Sequence, residues 1–152
     1  MKIKSYNLRV YGILIQEDSV LVTEERRAGM EMLKFPGGGL EKGEGLSDCL
    51  IREFSEELDI TVSVKSIFYV NEFFQQSAFS EEDQLISFYY QVSTPDMSRI
   101  PVKVGLDEGD EQIFRWVRLS ELYKEAFTFP IDKVVAKRLA QSSHDIGVNS
   151  AV

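Results

Sequence analysis

Three glutamates, Glu53, Glu56 and Glu57, stand at i, i+3 and i+4 in the segment that follows a glycine-rich loop, Gly37-Gly38-Gly39, with Glu53 fourteen residues past Gly39. Side chains at those spacings are neighbours on one face of a helix. Like charges placed so close each cost about a few tenths of a kcal/mol. A hard divalent cation would offset that cost. Mg²⁺ takes oxygen ligands, keeps several waters and binds together with substrate phosphates. The glycine run is no phosphate-cradling P-loop, because no Gly-Lys-Ser/Thr follows it.

The elements that must hold these acids are legible around them. Leu46, Leu50, Phe54 and Leu58 recur every four residues, which predicts a helix over 46–58. The glutamate arc lies beside that apolar stripe, at the margin of the buried face. Gly45 is the expected N-cap, with Asp48 in the first turn. Upstream, residues 4–15 and 20–23 read as two strands joined by a turn at 16–19. Arg26 to Met30 reads as a loop, and 33–35 as a short strand leading to the glycines. Downstream, 62–74 and 85–92 read as long strands, 95–112 as a long loop, and 113–117 as a strand. Ser120 is the expected cap of a short helix. Pro130 opens a last helix with Ile131, Val134, Val135, Arg138 and Leu139 on its stripe. The order predicts an α+β protein, an α/β/α sandwich with a mixed β-sheet between helices. One domain is expected over residues 1–141, with a flexible tail at 142–152.

Composition narrows the partners. The chain has 152 residues, 43% hydrophobic and 28% charged, with a net charge of −8. Such a balance disfavours duplex nucleic acid and anionic membranes but tolerates a small phosphorylated substrate if a metal supplies positive charge. No apolar run approaches the ~20 residues of a membrane helix. The single Cys49 forms no internal disulfide, which points to the cytoplasm. The only histidine, His144, falls in the expected tail, which argues against zinc and imidazole catalysis. Exposed aromatic strands admit a homodimer.

The run Gly38, five residues, Glu44, seven residues, Arg52-Glu53-Phe54-Ser55-Glu56-Glu57-Leu58-Asp59-Ile60 resembles the signature of the Nudix hydrolases, the MutT-like proteins. The Pro36-Gly37-Gly38 entry and Trp116-Val117-Arg118-Leu119-Ser120-Glu121-Leu122 look like family features too. Two positions depart from the pattern: Asp59 stands where the signature has glycine, and Phe54 replaces an aliphatic residue. The resemblance implies cleavage of a phosphoanhydride in a nucleoside diphosphate linked to another group. It implies Mg²⁺, with Mn²⁺ as a substitute, held by Glu53, Glu56 and Glu57 with the carbonyl of Gly37 or Gly38. Arg52 is expected to orient a carboxylate such as Glu56, and Glu44 to brace the loop or take an outer-sphere place. The general base stays open among a signature glutamate, Glu72, Glu108, Asp110 and Glu111. Arg26, Arg27 and Glu111 are candidates for substrate binding, and Phe73, Phe74 and Phe79 for stacking on a base. A proline found about sixteen residues past the signature in ADP-ribose hydrolases is missing here, where Gln75 lies, and Ser77 does not match the tyrosine of dinucleoside polyphosphate hydrolases. Nucleoside triphosphates and nucleotide sugars stay open. The competing reading is a module of the same fold that senses nucleotide derivatives without turnover. The complete glutamate set argues against it.

Overall fold

The computed structural model describes residues 2–149, with side chains through residue 142. Its elements are β1 (Ser5–Gln16), β2 (Ser19–Arg27), β3 (Met30–Lys34), β4 (Gly37–Gly39), α1 (Leu46–Leu58), β5 (Ser63–Val70), β6 (Asp83–Ser93), β7 (Gln112–Arg118) and α2 (Pro130–Asn149). Short 3-10 helices lie at Met97–Arg99 and Leu119–Lys124. The chain forms two compact units. One joins Met1–Leu14 to Pro36–Ile100, and the other joins Ile15–Phe35 to Pro101–Val152.

In the first unit β1 runs parallel to β6, from Ser5 opposite Asp83 to Leu14 opposite Val92. It runs antiparallel to β4, and β5 runs antiparallel to β6, so the sheet is mixed. Helix α1 forms over the expected residues and buries Cys49, Leu50, Phe54 and Leu58. It reaches β1 through one close approach. A Cβ on Gly12 would lie 2.6 Å from the Phe54 ring, so the bare glycine is what lets the ring sit on the strand.

Two expectations for this unit are corrected. The glycine run is not all loop, because Gly37–Gly39 form the short strand β4. Its missing side chains allow it to lie tight on β1, where a Cβ on Gly37 would stand 2.1 Å from the Val10 carbonyl. Strand β5 ends at Val70 rather than at residue 74. Beyond it the Asn71 amide donates to the carbonyls of Phe73 and Leu85 and accepts from the Ser87 N–H. A side chain there replaces ladder bonds and turns the chain out of the sheet.

In the second unit β2 lies between β3 and β7, antiparallel to both. Arg26 and Arg27 are on β2, not in a loop. Only Ala28 and Gly29 make the turn, with φ of 51° and 76°. Positive φ at both central positions matches the twist of a two-residue hairpin. The β1–β2 turn also closes on fewer residues than expected, with Gln16 paired to Ser19. Ser120 caps nothing, because the 3-10 helix begins one residue earlier and Arg118 holds the capping position. Helix α2 buries Ile131, Asp132, Val135, Ala136 and Leu139. Val134 is only half-buried and Arg138 is exposed, so the buried face is rotated slightly from the expected stripe. Its backbone continues to Asn149, past the point where apolar periodicity stops. The last three residues of the expected tail lie outside the described residues.

Candidate functional site

The acids sit on a helix fixed at both ends. At the start, Gly45 is extended and its N–H donates to the Asp48 carboxylate at 2.9 Å. At the end, Asp59 takes the left-handed conformation, φ 53° and ψ 42°, and its N–H donates to the Ser55 carbonyl. That is the conformation glycine enters most easily. Arg99 donates to the Asp59 carboxylate at 2.8 Å.

Arg52 is the hub of the site. It forks onto Glu44, with Nε at 3.0 Å from Oε2 and Nη2 at 2.7 Å from Oε1. Nη1 donates to Glu53 Oε1 at 2.9 Å and to Glu56 Oε2 at 3.3 Å, and Nη2 also reaches the Gly39 carbonyl at 3.0 Å. The expected Arg52–Glu56 contact is present, but Glu44 is the bidentate partner, the stronger geometry for a guanidinium. Glu44 accepts in addition the N–H of Glu41 at 2.8 Å, which closes the 41–44 loop. The Arg52 bonds, with the Glu41 N–H, hold the Glu44 carboxyl down to about 2. The same carboxylates push the Arg52 guanidinium further above its ordinary value, Glu44 first. Glu44 therefore braces the loop that leads into α1.

Glu53 is set by a close backbone approach. A Cβ on Gly38 would lie 2.3 Å from Glu53 Oε1 and 2.8 Å from Oε2, so the carboxylate rests directly against the glycine strand. Glu56 is 58% exposed and Glu57 is half-buried. Cys49 lies beneath, its Sγ 3.5 Å from the Gly39 carbonyl. Burial first, and then Glu44, push its thiol up to about 12. Among the described residues no three histidine, cysteine or acidic groups converge as a ready cage. Glu53 and Glu56 instead meet at Arg52. The donor set itself is all oxygen, carboxylates beside the glycine strand's carbonyls, which is the chemistry Mg²⁺ and Mn²⁺ accept.

The remaining candidates belong to the second unit, except Glu72, Phe73, Phe74 and Phe79, which are exposed in the first. Arg26 donates to the carbonyls of Asp110 and Asp107 at 2.9 and 3.3 Å and to Glu31 at 2.8 Å. Its own N–H donates to the Glu111 carbonyl. It thus ties the 107–111 loop to the β2–β3 hairpin. Asp110 binds Lys103 and the Asp107 N–H, and Lys103 holds its carboxyl below the ordinary range. Arg27, Glu108 and Glu111 are exposed. Sequence reasoning missed Glu41, whose backbone completes the Glu44 brace, and Gly12. A glycine inside an otherwise apolar strand was the available signal for Gly12.

The NUDIX domain family model matches residues 5–139. The chain belongs to the NUDIX family. As a Nudix hydrolase it acts on phosphoanhydride bonds. It is 27% identical over 127 residues to the 8-oxo-dGTP diphosphatase of Buchnera aphidicola, covering 82% of this chain and 85% of that one. It is 28% identical over 140 residues to human nucleoside diphosphate-linked moiety X motif 6, covering 89% of this chain and 42% of the human protein. The chain therefore spans less than half the length of that human relative. Its fold is similar to the crystal structure of the MutT protein from Methanosarcina mazei, with a TM-score of 0.68 and 20% identity, covering 92% and 96% of the two chains. This is the α+β Nudix fold with a mixed sheet and two helices. No helix among the described residues is long and apolar enough to cross a membrane.

Proposed function

We propose that this Nudix hydrolase is a Mg²⁺-dependent pyrophosphohydrolase that cleaves a phosphoanhydride in a nucleoside diphosphate linked to another group, such as a nucleoside triphosphate or a nucleotide sugar. The observation that carries the reading is Glu53 seated against Gly38 and bonded to Arg52, beside Glu56 on the same helix. The two relatives named for a diphosphatase and for a nucleoside diphosphate-linked moiety support the substrate class.

Glu53, Glu56 and Glu57, with the Gly38 carbonyl, would hold the ion. A bound Mg²⁺ neutralises phosphoryl oxygens and acidifies a bound water. Arg52 orients Glu53 and Glu56 and keeps two neighbouring anions from repelling each other when no cation is present. Glu44 stays ionised across the working pH range and anchors Arg52. Arg26, Arg27 and Glu111 are proposed as substrate-binding residues. The lone buried Cys49 fits a reducing, cytoplasmic home, and the net charge of −8 fits a small-molecule rather than a duplex partner. The exposed aromatic side chains Phe73, Phe74 and Phe79 fit a homodimer.

The test is Glu57→Gln, assayed with Mg²⁺ on a panel of nucleoside triphosphates, ADP-ribose, nucleotide sugars and dinucleoside polyphosphates. Turnover should fall at least about a hundredfold, as for loss of one preorganised charge-stabilising group. Far-UV circular dichroism should be unchanged, and Mn²⁺ binding, read by water proton relaxation, should weaken. Equal turnover in the variant and the parent would remove the metal assignment.

A further inference from the structure

A groove of about 790 Å³ lies within the second unit, between the 3-10 helix Leu119–Lys124 and α2. Its volume is within the range of small-molecule sites, roughly 300–1,000 Å³. Leu119, Leu122, Phe127 and Ala136, all buried, form the apolar floor. Tyr123 stands on the wall, 74% exposed. None of the residues given a part in hydrolysis lines this groove.

The charge on its rim selects a ligand. Lys133 and Lys137, one helical turn apart on α2, both line the groove. Two lysines at i and i+4 repel. The chain carries 25 acidic residues against 17 basic ones, so partners are plentiful. Within the same unit Lys34 pairs with Glu25, Lys103 with Asp110, Lys124 with Glu121, and Arg115 with Glu24 and Glu125. Lys133 and Lys137 form no ion pair among the described residues. Among the described residues the one acid lining the groove, Glu125, is neutralised by the two-toothed grip of Arg115, at 2.8 and 3.1 Å. An apolar floor therefore meets, among the described residues, a positive rim with no free acid beside it, on a chain that is strongly negative as a whole.

We propose that this groove binds an amphiphilic anion: an apolar ring or acyl body on the Leu122–Phe127–Ala136 floor, and a carboxylate, sulfonate or phosphate monoester held by Lys133 and Lys137. The probe is anilinonaphthalene sulfonate, with N-phenyl-1-naphthylamine as the same ring system without its charge. Both are titrated into the full chain by fluorescence, with a saturating nucleotide present. The groove predicts saturable binding of the sulfonate, with amide NMR shifts concentrated in residues 119–127 and 133–141. Lys133→Gln/Lys137→Gln should weaken the sulfonate at least about fivefold, roughly what two partly exposed charge contacts supply, and should leave the uncharged dye unchanged. Hydrolysis by the double variant should match the parent. Ala140→Trp, which fills one end of the groove, should weaken both dyes. No saturable binding, shifts mapped elsewhere, or equal sulfonate affinity in the lysine variant would each overturn the proposal.

Discussion

Arg52 is surrounded by more carboxylates than it can neutralise, and the way it divides its donors determines what each acid can do. Glu44 receives the fork, and its carboxyl drops from the ordinary 4.5 to about 2, with Arg52 the largest cause and the Glu41 N–H next. A carboxyl whose folded value is depressed stabilises the fold fully above its unfolded value, and that contribution is lost as pH falls toward the folded value. The window here is pH 4.5 down to about 2. Urea midpoints measured across it should fall with pH, and Glu44→Gln should flatten the slope. An unchanged slope in the variant would mean that Glu44 is not the linked group. The spacing of the glutamates, of Arg52 and of Glu44 was readable from the chain because helical periodicity is local. That Glu44 rather than Glu56 would take the bidentate grip was not readable, since it depends on where the 41–44 loop folds back.

At the scale of elements, α1 is aligned by contacts at its flank and at its end. On its flank the Phe54 ring occupies the space above Gly12. Gly12→Ala should destabilise by about 1–3 kcal/mol through overpacking, and Phe54→Leu should recover part of that loss in the double variant. Additive losses, measured by chemical denaturation, would exclude the contact as the cause. At its end Asp59 holds a left-handed conformation where the Nudix signature has glycine. Asp59→Gly relieves that backbone cost, of order 1 kcal/mol, and gives up only an exposed ion pair to Arg99 worth less. The expected result is a small rise in melting temperature, and a clear fall would show the Asp59–Arg99 pair to be the stronger effect. Periodicity located α1 to the residue. It could not show β4, because three glycines carry no strand pattern and pair with β1 only through bare backbone. Nor did composition separate strand from loop at Arg26 and Arg27, where two residues with positive φ suffice to turn the chain.

For the whole molecule, the two compact units share one strand. Residues of β1 up to Leu14 belong to the first unit, and Ile15 and Gln16 to the second. The NUDIX domain match runs through both. Neither unit can be excised without cutting that strand, so a calorimetric scan should show one transition with equal calorimetric and van't Hoff enthalpies. Two resolved transitions would separate the units energetically.

The sequence by itself determined the helix that carries the clustered glutamates, the glycine run before it as a place without side chains, and the family, because these depend on short-range spacing and residue type. Tertiary structure alone decided which acid Arg52 grips, why Gly12 and Gly38 must lack a side chain, and which lysines form no ion pair among the described residues beside an apolar groove. Those outcomes depend on residues far apart in the chain meeting at contact distance, and spacing along a sequence carries no information about that meeting.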